Sequence, residues 1–336
     1  MTGPGLLAFG EAPSSVVHAQ VLLTYVQTGP LALLADAAEV VALVLYALGV
    51  RRLRARGRAW PWWQTGCFAL GILLVWVAVG SGLAAYDDLN VTMHVIQHLV
   101  LMMVAPPLLT AGRPLTLLNQ AGSRTTQVRL IGILRSRAVA VLTFPVVVWF
   151  LYYGSMYVFF QTGIYPYSVT HQLFHDVTHG WFLAVGYLYW QPIIGLDQAR
   201  RQESYPVRLG LLFVGMPFEA FLGISIMGEA APLAPINTLG NTHNAGAVFW
   251  ALAEALTAAG MALVAALWFA SIDRETARED RRAPARDEAN RARAAELGVE
   301  LPEGATLPWW RLAELEAQAA RRAGGGPEGG DRSAPA

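Results

Sequence analysis

Seven histidines occur in the 336-residue chain: His18, His94, His98, His171, His175, His179 and His243. In MHVIQHLVLMM, His94 and His98 are four residues apart, and in HQLFHDVTH so are His171, His175 and His179. On a helix that spacing places side chains on one face, each stepping about 40° around the axis. Imidazoles one turn apart suit a divalent or cuprous ion, and a second helix can complete a three- or four-coordinate site. Met102 lies one turn beyond His98 and offers a thioether, a ligand that favours cuprous ion over zinc. Asp176, three residues before His179, is placed to accept from an imidazole and fix which ring nitrogen is free. Metal loading through neutral imidazoles should fall as they protonate. The alternative is that the histidines hydrogen-bond between helices and only hold a bundle together. His18 and His243 stand apart from both stripes and are read as marginal.

Positioning two such stripes requires long apolar helices, and the composition supplies them. Apolar residues make up 54% of the chain and charged ones 14%, with a mean hydropathy of +0.39. A bilayer core of about 30 Å needs roughly 20 apolar residues per helix. Runs of that kind lie near residues 31–50, 65–84, 92–111, 138–160, 170–195, 208–228 and 244–270, which predicts an all-α, polytopic membrane bundle of seven helices. The third and fifth runs carry the histidines and the sixth carries Glu219, so these three face the bundle interior, and Glu219 is a candidate to support the site. Asp36 and Glu39 fall early in the first run. Asp87 and Asp88, in a turn between runs, read as solvated, and Glu254 as bonded to a neighbouring helix. Met93, Met103, Met216 and Met227 read as core filler. The Pro106-Pro107 pair must interrupt the third helix and predicts a kink.

All 24 basic residues are arginines. They follow the first run (Arg51 to Arg58), the third (Arg113 to Arg137) and the fifth (Arg200, Arg201, Arg208), and they fill the C-terminal region. By the positive-inside rule these segments are cytoplasmic, which places the N-terminus outside and the C-terminus inside and requires an odd number of spans. All seven histidines then fall outside or in outer membrane halves. Residues 1–30 read as an extracytoplasmic segment without the features of a cleaved signal peptide, 31–270 as the membrane domain and 271–336 as a cytoplasmic tail. In that tail, 287–297 and 309–322 have helical composition, Trp309 and Trp310 suit a headgroup region, and the closing GGGPEGGDRSAPA predicts disorder.

The composition also removes some functions. The formal charge is zero, and no basic face for nucleic acid is evident. A retinal Schiff base is excluded because the chain has no lysine. The single Cys67 rules out an intramolecular disulfide and a CxxC motif.

Several longer segments resemble a known family. They are the Trp60-Pro61 approach to the second run, MHVIQHLVLMMVAPPLLTAGRPLTLL from Met93 to Leu118, the histidine-rich fifth run, GYLYWQPIIGLD from Gly186 to Asp197, and MPFEAFLGISI from Met216 to Ile226. Together with the Gly- and Trp-containing start of the seventh run, these are similar to the CtaG-like membrane proteins required for assembly of caa-type cytochrome c oxidase, over roughly residues 31–270. Family members often carry Met directly after the first histidine of the third span, where this chain has Val95 and puts Met93 before it. The resemblance implies a seven-helix protein of the bacterial plasma membrane that helps mature a haem-copper oxidase, with copper the metal its histidines handle.

Three functions fit these readings. The first is an assembly factor that takes copper from an extracytoplasmic donor, holds it with His94, His98, His171, His175, His179 and Met102, supported by Asp176 and Glu219, and passes it to oxidase subunits; it needs no catalytic turnover. The second is a membrane-embedded zinc hydrolase, whose metal would keep an open, water-bearing position. The third is a haem protein with one imidazole from each stripe.

Overall fold

The computed structural model describes residues 17–198, 203–299, 301–302, 305 and 307–324. The expectations for residues 1–16 and for most of the Gly-rich C-terminal stretch lie outside the described residues, as do Arg200 and Arg201. Among the described residues the secondary structure is helical, with one isolated antiparallel bridge between Val26 and Ser81. The described residues up to Ala265 form one compact unit and those from Ala266 onward a second.

The first unit opens with α1 (Ala19–Thr24) and α2 (Pro30–Ala55), the latter begun by a proline at its first position, where a missing N–H costs nothing. Only Tyr46, Val50 and Leu53 of α2 are buried, all in its C-terminal half. There the Tyr46 ring stacks on Phe68 of α3 (Trp62–Val79) at 4.1 Å. The Tyr46 hydroxyl donates to the Gly112 carbonyl at 2.7 Å and accepts from the Trp60 indole at 3.2 Å. Gly112 is required at this crossing, because a Cβ would sit 2.6 Å from that of Phe68.

After the 80–90 connection comes α4 (Val91–Leu99). Asn90 caps it, accepting from the Thr92 and Met93 amides. Asn241 clamps the same end, donating to Asn90 and Thr92 and accepting from the Val91 amide. Beyond His98 the helix widens into a π-helical turn, Val100–Val104, before α5 (Ala105–Ala111). Pro106 and Pro107 cannot donate backward, and the π turn absorbs that interruption, so the expected distortion falls just before the proline pair. Arg113, in the left-handed region at φ 55°, turns the chain into α6 (Pro114–Ala121). The cap of α6 comes from far away in sequence: Asp197 accepts from the Leu115 and Thr116 amides and from the Thr116 hydroxyl.

Two short helices, α7 (Arg124–Leu134) and α8 (Arg137–Leu142), lead to α9 (Pro145–Gln161) and α10 (Ile164–Ser168). The helix α11 (Gln172–Ile194) follows and ends on Gly195 at φ 62°. Arg208, near the start of α12 (Tyr205–Met227), closes that end by donating to the Ile193 and Ile194 carbonyls. Last in this unit, α13 (Leu239–Glu296) begins. The second unit holds the remainder of α13 and α14 (Trp309–Gly324), where Arg293 donates to Glu296 and Glu316.

Among the described residues, five stretches are helical, long and apolar enough to cross a membrane: Pro30–Ala55, Trp62–Val79, Val91–Ala121, Tyr205–Met227 and part of Leu239–Glu296. The two other stretches expected to span are helices of different character. α9 has 17 residues, about 26 Å at 1.5 Å per residue. α11 has 23 residues, but it interrupts its apolar surface with His175, Asp176 and His179.

Candidate metal centre

The helix α4, the N-terminal half of α11 and the 80–90 connection converge on one buried region. His94, His98 and His175 are 0% exposed and His179 is 7% exposed. The His94 ring lies 4.2 Å from that of His98 and 5.0 Å from that of His175, on which it stacks; the His175 and His179 rings are 4.5 Å apart. Those spacings follow from the two i, i+4 pairs on helices held together at a close crossing below the site. There Gly186 of α11 faces Met102, and a Cβ would sit 2.8 Å from the Met102 carbonyl oxygen. Phe159, Phe182 and Tyr165 wall the imidazoles from the other side, with ring centroids 5.0 Å from His98, 4.3 Å from His98 and 5.0 Å from His94.

The fifth member is Asp87, which the sequence reading left in solvent. It is 4% exposed, with Oδ2 3.9 Å from His175 Nε2 and 3.8 Å from His179 Nε2. Asp87, His175 and His179 each offer a ligand atom within 4.8 Å of the others, close enough to share an ion. Burial raises the Asp87 carboxyl above the ordinary carboxylate range, while His175 and a hydrogen bond from Gln97 pull it back. The Gln97 amide donates to Asp87 Oδ2 at 2.7 Å and to the Ala78 carbonyl at 2.9 Å, which fixes the carboxylate between α3 and α4.

Hydrogen bonds sort the ring nitrogens. A carbonyl can only accept, so His94 Nδ1 donates to the Asp87 carbonyl at 3.3 Å and leaves Nε2 as the free acceptor. His175 Nδ1 lies 2.7 Å from Asp88 Oδ1, which directs Nε2 toward Asp87. Apart from His175 Nδ1, five ring nitrogens of the cluster make no hydrogen bond: His94 Nε2, His98 Nδ1 and Nε2, His175 Nε2 and His179 Nε2. A buried polar atom left without a partner costs about 1–3 kcal/mol, and burial inside a membrane bundle raises the stakes. The bare Nε2 atoms of His175 and His179 beside the Asp87 carboxylate are a donor set that fits a transition-metal ion, and the bare nitrogens of His94 and His98 belong to rings packed against these two.

The other candidates fall elsewhere. His171 precedes the first turn of α11, where it is exposed, stacks on Tyr167 at 3.8 Å and donates Nδ1–H to the Tyr167 carbonyl. Asp176 bonds to Gln172 rather than to His179. Met102 is fully buried in the core one turn beyond His98. Glu219 is buried in a separate polar cluster, accepting from Tyr153 at 3.2 Å and from Thr257 at 2.9 Å. His243 donates to the Glu229 carbonyl, and His18 is exposed. The signal that could have found Asp87 is its place, a carboxylate pair a few residues before the first histidine of an apolar helix.

Similar chains include an uncharacterized protein of Mycobacterium bovis, 33% identical over 273 residues, covering 74% of this chain and 40% of the relative. Another is an uncharacterized protein of Mycobacterium leprae, 31% identical over 275 residues, covering 74% of this chain and 41% of the relative. The chain thus spans about two fifths of the length of these curated relatives. No solved structure matches it. Residues 44–271, which include α4, α11 and the connection bearing Asp87, match the family described as cytochrome c oxidase caa3 assembly factor, and the chain belongs to that family.

Proposed function

We propose that this protein serves assembly of a haem-copper cytochrome c oxidase by holding a copper ion at the His94, His98, His175, His179 and Asp87 cluster and releasing it to an oxidase subunit. The observation that carries the reading is the pair of bare, buried Nε2 atoms on His175 and His179 that share a site with the Asp87 carboxylate, with the His94 and His98 rings packed beside them. Copper binds such nitrogen and oxygen sites more tightly than the other first-row divalent ions. The chain's own contribution is preorganisation. His94 and His175 present Nε2 because their Nδ1 atoms are committed to the 80–90 connection, and Gln97 holds Asp87 in place.

In this reading α9 and α11 both cross the bilayer, giving seven spans in a bacterial plasma membrane with the N-terminus outside and the C-terminal region in the cytoplasm. The cluster then sits in the extracytoplasmic half, accessible to an external copper donor and to the oxidase subunit that receives the ion. The test is metal analysis of the detergent-purified chain after copper loading, beside a His98→Ala, His175→Ala double variant. Wild type should retain about one copper per chain, as expected for one shared site, and the double variant should retain a small fraction of that. Equal, negligible copper in both would sink the reading.

A second reading rests on the Asp87, His175 and His179 triad, because two imidazoles and a carboxylate are the ligand set of many catalytic zinc sites. Zinc retained in stoichiometric amount with amide hydrolysis would favour it. A Soret band in the optical spectrum would favour haem.

A further inference from the structure

The N-terminal half of α2 stands apart from the bundle. Toward the cavity it presents Ala32, Ala35, Ala38 and Glu39, with the spacing of one helical stripe. The small alanines leave a cavity of about 620 Å3 between α2, α3 and α11. Most of its lining is apolar, yet its ionisable lining groups are Glu39, Asp87, Asp176 and His179, with neither lysine nor arginine among them. Carboxylates in an apolar helix are costly without a task. Asp36 Oδ1 and Glu39 Oε1 are buried and make no hydrogen bond. His179 belongs both to this cavity and to the imidazole cluster, is more than nine-tenths buried and leaves Nε2 bare. The cavity and the candidate metal centre therefore meet at Asp87 and His179.

We propose that this cavity is the port through which a transition-metal cation reaches the imidazole cluster, with the Glu39 carboxylate its first ligand on the way in. The proposal rests on the metal-binding reading above and adds the route and the residue. Three carboxylates and one imidazole, with no lysine or arginine beside them, make a cleft that favours cations over anions, which argues against a phosphate or carboxylate headgroup as the occupant. Glu39 sits on the cavity wall contributed by α2, whereas Asp87 and His179 reach into the centre itself.

The experiment measures the rate and extent of copper uptake by the full chain in detergent, with cupric ion supplied as its zincon complex and transfer followed by loss of that complex's absorbance. Three variants are compared with wild type: Glu39→Gln, Ala35→Trp to fill the cavity, and Val41→Trp on the exposed face of α2. A cleft lined by charge of one sign raises capture rates about 10- to 1,000-fold as a whole, so Glu39→Gln, which removes one of its carboxylates, should load several-fold more slowly than wild type and reach the same final copper content. Ala35→Trp should also be slow, and Val41→Trp should load as wild type does. Glu39→Gln is nearly isosteric, so it decides the matter alone if the tryptophan disturbs packing. A wild-type rate in Glu39→Gln, or in a well-folded Ala35→Trp, overturns the port while leaving the metal centre intact. A wild-type chain that takes up no copper overturns the metal centre and the port with it.

Discussion

Gln97 illustrates how much of the candidate centre depends on a side chain that need not touch an ion. Its amide is fully buried and bridges Asp87 Oδ2 to the Ala78 carbonyl. Gln97→Leu would keep the volume and remove both donors, freeing Asp87 to rotate and leaving the Ala78 carbonyl bare. The expected result is copper affinity weaker by about 10- to 100-fold, the usual penalty for losing a hydrogen bond that orients a ligand, with the His98 and His175 positions unchanged. Competition titration against a copper chelator measures it, and an unchanged affinity would remove Asp87 from the site. At this scale the sequence was half legible. Spacing of four identified His94 and His98, and His175 and His179, because helical periodicity alone fixes their common face. Asp87 was not legible from periodicity, since a loop carboxylate has none, and it is tertiary contact with Gln97 and two histidines that removes it from water. His171 shares the spacing of its stripe, but its backbone, at φ −134° and ψ 87°, lies outside the helix. Periodicity does not report where a helix begins.

Between the elements, the distances among imidazoles depend on how closely α11 approaches the helix carrying His94 and His98. That approach is set below the histidines, where Gly186 meets the Met102 backbone at the π turn. Small residues permit such contacts between membrane helices. A methyl group at this position would have to displace backbone rather than a flexible side chain. Gly186→Ala is therefore expected to cost about 1–3 kcal/mol, the range for overpacking a dense core, and to lower copper affinity although no ligand changes. Thermal unfolding in detergent beside the chelator titration checks both, and full copper affinity in a destabilised variant would uncouple the crossing from the site. The apolar runs were legible as helices because length and hydropathy suffice for that. The π turn was not: the proline pair predicts an interruption but does not say that the widening precedes it. Nor was the Asp197 cap of α6, which joins positions 81 or more residues apart.

For the molecule as a whole, the side of the membrane on which copper would be met depends on whether α9 and α11 cross. If both do, the connection from 161 to 171 and the arginine-bearing segment from 113 to 137 lie on opposite sides; if neither does, they lie on the same side. Thr162 and Thr125 are both exposed and report on these two connections. In a Cys67→Ala background, Thr162→Cys should react in intact cells with a membrane-impermeant maleimide, and Thr125→Cys should react only after the cells are permeabilised. The arginine distribution demands this arrangement, since short cytoplasmic loops carry the excess of positive charge. The 17 residues of α9 can satisfy it at the lower limit of a spanning helix. α11 can satisfy it because its polar side chains at His175 and His179 face the buried cluster, while Leu173, Val177 and Trp181 are exposed. That is the pattern of a helix with an apolar surface toward lipid and a chemical one inward. Labelling of both cysteines in intact cells, or of neither, would place the two connections on one side and reduce the bundle to five spans. The imidazole cluster would then lie beside a membrane surface rather than within the outer half of a closed bundle.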